Sequence, residues 1–241
     1  MMLTKKSAEE KVPSGAEIID QLLKGGYDND VITTIYGPAG SGKTNLAMLF
    51  AIATVKSGKK VLFMDTEGGF SIERLKQLHP NIQEILDNMV FLKPTNFDEQ
   101  QRAFERLREV IDDHLGAIII DSIAMLYRLE LGKNNDVFDV NRELGRQIMY
   151  LTELARKRNI PIFITNQVYR NFEEKNKINM VGGDILKYGS KCLIELQVGH
   201  NAKRRAILKK HRSLPSDMMV DFDIQEQGLA ASKQDEEFKM L

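Results

Sequence analysis

Apolar positions along this chain follow two alternating rhythms. Residues 31–36, 61–64, 90–92 and 117–120 are short unbroken runs, rich in Val, Ile and Phe, and read as strands buried on both faces. Between them, 45–56, 99–113 and 140–158 repeat apolar residues at helical spacing. The first of these segments carries Leu46, Leu49, Phe50, Ala53 and Val55; the second carries Phe104, Leu107, Val110 and Ile111. Asn159 ends the third, and 160–165 forms another strand. Strands alternating with helices predict right-handed βαβ units, hence an α/β fold with a mostly parallel twisted sheet flanked by helices. After residue 190 the rhythm changes. Segments 191–198, 205–210 and 218–224 read as strands joined by short turns, the first at 199–202, which places antiparallel strands at the C-terminal edge. Residues 1–12 are expected to form a short polar arm, 13–230 one core, and 231–241 a charged, disordered tail.

Composition narrows the function classes. The 241 residues include 34 basic and 34 acidic side chains, so net charge carries no nucleic-acid signal and only a local patch could do so. Residues 1–6 are too polar for a signal peptide, and nothing approaches the ~20 apolar residues of a membrane span. One cysteine, Cys192, excludes an internal disulfide and suits a reducing cytoplasm; its apolar neighbours read it as a core thiol. The four histidines show no zinc-binding spacing.

The strongest chemical signal is Gly37-Pro38-Ala39-Gly40-Ser41-Gly42-Lys43-Thr44, which fits the phosphate-binding loop pattern at every fixed position. It sits between a predicted strand and a predicted helix, as that loop requires. Glycines let the backbone turn tightly and aim N–H groups at phosphate oxygens. Lys43 supplies charge for the terminal phosphates, Thr44 a hydroxyl for Mg²⁺, and Asn45 follows within the nucleotide site. Asp121 ends a four-residue apolar run, where α/β ligand sites lie, and is a candidate to hold the metal; helix capping is its alternative. Glu67 follows a strand expected to neighbour the P-loop strand. It could orient a water or act as general base, with Asp65 competing for the role.

These motifs, with several others in order, resemble the RecA/RadA recombinase family, and within it an archaeal paralogue, over about residues 12–229. The segment from Asp65 to Leu75 resembles the family's stretch bearing the catalytic glutamate, which falls on Glu67. Residues 120–128 resemble its second nucleotide motif. Thr165-Asn166-Gln167-Val168 resembles the segment whose glutamine senses the γ-phosphate, here Gln167, and Gly182-Gly183-Asp184 resembles the glycine pair after the second DNA-binding loop. The resemblance implies a RecA-like P-loop ATPase core with ATP and Mg²⁺ as cofactors. It also implies DNA as a partner, single-stranded by preference, together with a RadA-type recombinase, Holliday-junction processing proteins and a second copy of the chain. The expected setting is the nucleoid. The family's N-terminal DNA-binding domain and its Phe-x-x-Ala plug have no counterpart before residue 13; the one such string, at 50–53, lies in the P-loop helix and reads as core. An accessory role with weak hydrolysis is therefore expected ahead of strand exchange or a nucleotide-gated scaffold.

By the same resemblance two DNA loops fall around 128–141 and 169–181. The first offers Arg128; the second offers Arg170, Lys175 and Lys177, with Tyr169 and Phe172 to stack on bases. Between Gly199 and Leu214 stand Lys203, Arg204, Arg205, Lys209, Lys210 and Arg212, with no acid among them. Lys203, Arg204 and Arg205 are candidate DNA contacts. Lys210 and Arg212 also resemble a Lys-x-Arg element that reaches a neighbouring subunit's ATP; a solvated edge strand is the alternative.

Overall fold

The computed structural model describes residues 11–133, 136–170, 178–200 and 203–232. A two-strand clip, β1 (Lys11–Val12) with β2 (Tyr27–Asp28), encloses helix α1 (Glu17–Leu23). Then follow β3 (Ile32–Tyr36), α2 (Lys43–Lys56), β4 (Lys60–Asp65), α3 (Ile72–Leu78), α4 (Ile82–Asp87), β5 (Met89–Leu92) and α5 (Phe97–Val110). The middle of the chain holds β6 (Leu115–Asp121), α6 (Met125–Leu131), α7 (Val137–Arg158) and β7 (Ile162–Asn166). A ribbon of β8 (Val168–Arg170) and β9 (Ile178–Met180) leads to α8 (Gly183–Gly189), and β10 (Cys192–Val198), β11 (Arg204–Lys210), β12 (Met218–Gln225) and β13 (Gly228–Ala231) complete it.

Nine strands form one sheet in the order β13-β12-β11-β10-β3-β7-β6-β4-β5. From β10 to β5 neighbours run parallel; from β10 to β13 they run antiparallel. This is the expected α/β sheet with an antiparallel C-terminal edge. One expectation fails. The strand before Glu67, β4, does not neighbour the P-loop strand β3, because β7 and β6 lie between them. Apolar runs identify strands but not their order, which packing of the later β7 decides.

Each central strand sends alternate side chains to opposite cores. On β4, Val61 and Phe63 join a core with α1, α2, α3 and α4, while Leu62 and Met64 join one with α5, α6, α7 and α8. The P-loop helix α2 is apolar nearly all round because it is buried, and the Phe-x-x-Ala string lies within it. Phe50 is fully buried, with its ring 4.8 Å from Tyr27 and 5.8 Å from Phe163. Phe50→Ala is expected to cost about 4 kcal/mol, the range for emptying a buried aromatic site, read as a shifted urea midpoint.

Differences from the pattern have local causes. Helix α7 starts at Val137 rather than near 140: Asp136 caps it by accepting from the Phe138 N–H at 2.8 Å. Its first turn faces solvent, so the apolar rhythm only begins at buried Val140. The helices of six or seven residues, α1, α3, α4, α6 and α8, are too short to show a period. Lys11 and Val12, assigned to the arm, pair with Asp28 and Tyr27, and Ala230 and Ala231 pair with Asp223 and Phe222. The tail at 233–241 lies outside the described residues. Cys192 is buried in the core, its thiol pKa pushed up to about 12 by burial. Among the described residues, no helix is long and apolar enough to cross a membrane.

Candidate functional site

The parallel register brings four strand ends level. Tyr36 pairs with Asn166, Ile120 with Ile164, and Asp65 with Asp121. The loops that follow β3, β7, β6 and β4 therefore meet at one carboxyl edge, where open α/β sheets bind ligands. Gly40 and Gly42 take left-handed backbone, with φ of 73° and 104°. Gly37 is closely packed too: a Cβ there would meet the Leu196 carbonyl oxygen at 2.4 Å. Helix α2 begins at Lys43 and aims its N-terminus into this loop. The Lys43 ammonium donates to the carbonyls of Gly37 and Pro38, both at 2.9 Å. Burial lowers the Lys43 pKa, while the Glu67 and Asp121 carboxylates act to raise it.

Asp121, the candidate metal acid, gathers two hydroxyls. Thr44 Oγ1 donates to its Oδ2 at 2.6 Å, and Thr165 Oγ1 donates to its Oδ1. Burial raises the Asp121 pKa; the two hydroxyls oppose that, and the Glu67 and Asp65 charges add to it. Gly69 borders this corner: a Cβ there would sit 3.4 Å from Thr44 Oγ1 and 3.8 Å from Asp121 Oδ2, in ordinary contact with both. A hydroxyl and a carboxylate at this spacing suit Mg²⁺, which is held by few protein oxygens plus water and substrate phosphates. Among the described residues there is no group of three or more His, Cys, Asp or Glu that could hold a metal. P-loop, Lys43, Thr44 and Asp121 together fit Mg–nucleotide.

The loop after β4 separates the two competing acids. Asp65 accepts from the backbone N–H groups of Glu67, Gly68, Gly69 and Phe70 at 2.8–3.2 Å, so its carboxylate shapes its own turn. Glu67 is exposed, and its Oε1 accepts from Ser122 Oγ at 2.5 Å, just past Asp121. Thr66 ties the same two loops: its hydroxyl donates to the Ser122 carbonyl and accepts from the Ser122 N–H. The Asp121–Ser122 peptide is cis. Gln167, half-buried, links β7 to β8, and its carbonyl accepts from the Val181 N–H at 3.2 Å.

Three contributors are missed by sequence. Thr165 lies within the quoted Thr-Asn-Gln-Val segment, a lone hydroxyl at the end of an apolar strand, which is the signal that could mark it. Ser122 is visible only as a neighbour of Asp121. Arg74 carries no sequence signal: its Nε donates to Asn45 Oδ1 at 2.7 Å, and its other nitrogens reach Gln77 and the Gln225 and Glu226 carbonyls. Asn45 thus meets Arg74, and the P-loop helix is tied to α3 and the β12–β13 turn.

The candidate DNA residues are dispersed. Arg128 is exposed on the last turn of α6, so much of the expected first loop is helix. Arg170 ends β8, and the described ends of the expected second loop pair as β8 and β9; Phe172, Lys175 and Lys177 lie outside the described residues. The run of basic residues at 203–212 is not one patch. Strand β11 turns Arg204 and Arg205 to opposite faces, and acids from elsewhere meet several of the cations. Arg205 makes a two-pronged pair with Asp221 at 2.6 and 2.8 Å, and Lys209 pairs with Asp217 at 2.6 Å. Lys203 opens this segment, its N–H donating to the His200 carbonyl. Lys210 donates to the Lys187 and Ser190 carbonyls. Arg212 binds Asp28 and Asp30 at 2.9 and 2.7 Å, near the start of β3, and His211 Nε2 is 3.3 Å from the same Asp28.

Known proteins resemble this chain in sequence and fold. The Rad51 family model matches residues 5–232. A DNA repair and recombination protein RadB of Methanococcoides burtonii is 39% identical over 93% of this chain and 99% of its own length. One from Methanococcus maripaludis is 42% identical over 88% of this chain and 97% of its own. A RadB recombinase crystal structure superposes with a TM-score of 0.78 at 33% identity, covering 92% of this chain and all of that one. With a family match across nearly its whole length and a shared fold, the chain belongs to the Rad51 family of DNA repair and recombination proteins, among its RadB members.

Proposed function

We propose that this protein is an ATP-binding accessory factor of homologous recombination, which binds single-stranded DNA, hydrolyses ATP weakly and modulates a RadA-type recombinase. The observation that carries the reading is the convergence of Lys43, Thr44, Asp121 and Glu67 at one sheet edge. With Mg–ATP in place, the metal would neutralise phosphate charge. Lys43 and the P-loop N–H groups would hold the polyphosphate, Thr44 and Asp121 would hold the metal, and Glu67 would orient the attacking water. Gln167, which follows β7 at the root of the β8–β9 ribbon, is the candidate γ-phosphate sensor.

Support for single strands comes from exposed rings near cations. Phe138 is 68% exposed with the Arg142 guanidinium 5.8 Å from its ring centre, and Tyr169 is 47% exposed on the ribbon. Rings of this kind stack on bases without sequence preference. Arg170 follows Tyr169 on β8, and Arg128 lies on α6, the helix before α7. The neighbouring Leu129 and Val137, 52% and 55% exposed, favour a second reading in which this face also docks a protein partner. A RadA-type recombinase, a Holliday-junction enzyme and a second copy of the chain are the candidates, all acting at the chromosome in the cytoplasm.

Steady-state ATPase activity with and without single-stranded DNA, with Lys43→Ala as blank, tests the proposal. Slow turnover with DNA bound is expected. Rapid DNA-stimulated turnover would favour a strand-exchange motor. Absence of DNA binding at low salt, with or without ATP, would leave a nucleotide-gated scaffold.

A further inference from the structure

Strand β11 enters the sheet antiparallel to β10, so its first residue stands where β10 and β3 end. Arg204 pairs with Val198 on one side and Phe222 on the other. Along β11, Ala206 and Leu208 are buried in the core that contains α2, and Arg204 shares their side. There its Nε donates to the Gly40 carbonyl at 3.2 Å. The same wall continues on β12: Ile224 and Phe222 lie 3.1 and 3.7 Å from where a Cβ on Gly42 would be. The antiparallel edge is thus the outer wall of the P-loop, and Arg204 is a cation fixed on it. Arg205, one residue on, faces the opposite side and is held by Asp221.

We propose that Arg204 is a second cation of the polyphosphate site, acting in cis beside Lys43 on a nucleoside di- or triphosphate. The inference rests on the nucleotide reading above. Lys43 alone gives two of its three N–H groups to loop carbonyls. A planar guanidinium seated on the loop tip is positioned for phosphate oxygens, which it can grip with paired donors. It also offsets the negative end of the Gly40 carbonyl next to an incoming anion. Arg204 thereby leaves the group of DNA contacts to which its basic neighbours point.

The test is the affinity of Arg204→Met and Arg204→Lys for ATP, ADP and AMP, by competition against a fluorescent ATP analogue, with thermal unfolding recorded alongside. Met retains the aliphatic stem and removes the charge. Arg204→Met is expected to lose ATP and ADP affinity about tenfold, AMP affinity less than twofold, and much of the salt dependence of ATP binding. Arg204→Lys should recover part of the loss, and the melting temperature should stay put. Unchanged ATP affinity overturns the proposal. So does an equal fall for all three nucleotides, which marks mere support of the loop, and so does a loss confined to single-stranded DNA. If Lys43→Ala abolishes ATP binding while Arg204→Met does nothing, only this inference fails; if neither matters, the nucleotide reading fails with it.

Discussion

Lys43→Ala is expected to lower ATP affinity by about 100-fold or more, since it removes charge-assisted hydrogen bonds of roughly 1.5–3 kcal/mol each. The ammonium lies beneath the loop with its nitrogen on two backbone carbonyls, so its position is set by the fold. Removing it leaves those carbonyls without that donor and the Glu67 and Asp121 charges without a nearby cation. Lys43→Arg should fail almost as badly, because a planar fork does not fit a site shaped for a point charge. Titration with a fluorescent ATP analogue gives the number, and a melting curve separates lost binding from lost fold. Retained affinity in both variants, with the fold intact, would refute the assignment of this edge as a nucleotide site.

Glu67→Gln should lower single-turnover ATP hydrolysis by about 10²–10³-fold, within the usual contribution of a general base, while ATP affinity changes little. The carboxylate is exposed at the mouth of the site and anchored by Ser122 at 2.5 Å, within reach of solvent and beside Asp121. The amide can keep the Ser122 contact and hold a water but cannot take its proton. Asp65→Asn is the informative contrast. It removes the charge that gathers four backbone N–H groups, so ATP affinity and hydrolysis should fall together. Equal hydrolysis by Glu67→Gln and the parent would move the catalytic role to another residue.

Much of the architecture is legible in the chain because parallel strands must be apolar on both faces: 31–36, 61–64 and 117–120 announce themselves without context. The P-loop is legible because its chemistry is local, eight consecutive residues making one cradle. The candidate metal acid Asp121 is legible by its place at the end of an apolar strand. What escapes is whatever depends on which strand lies beside which. Thr165 reaches Asp121 only because β7 stands between β3 and β6. Arg74 reaches Asn45 and the Gln225 carbonyl across 29 and 151 residues. The basic run at 203–212 misleads for the same reason. Read linearly it is a patch of positive charge, but folding brings Asp221, Asp217, Asp28 and Asp30 to it from elsewhere in the chain.

Strand β7 carries Thr165, hydrogen-bonded to Asp121, and the chain passes through Asn166 and Gln167 directly into the first strand of the β8–β9 ribbon. One continuous segment therefore touches Asp121 at one end and roots the ribbon at the other. Thermodynamic reciprocity then constrains the molecule: if a strand of DNA gripped by the ribbon tightens ATP by some factor, ATP must tighten that DNA by the same factor. With both affinities known in the absence of the counterpart, measuring either one with its counterpart saturating would therefore give the other, and a mismatch would mean that a third ligand or a second subunit shares the cycle.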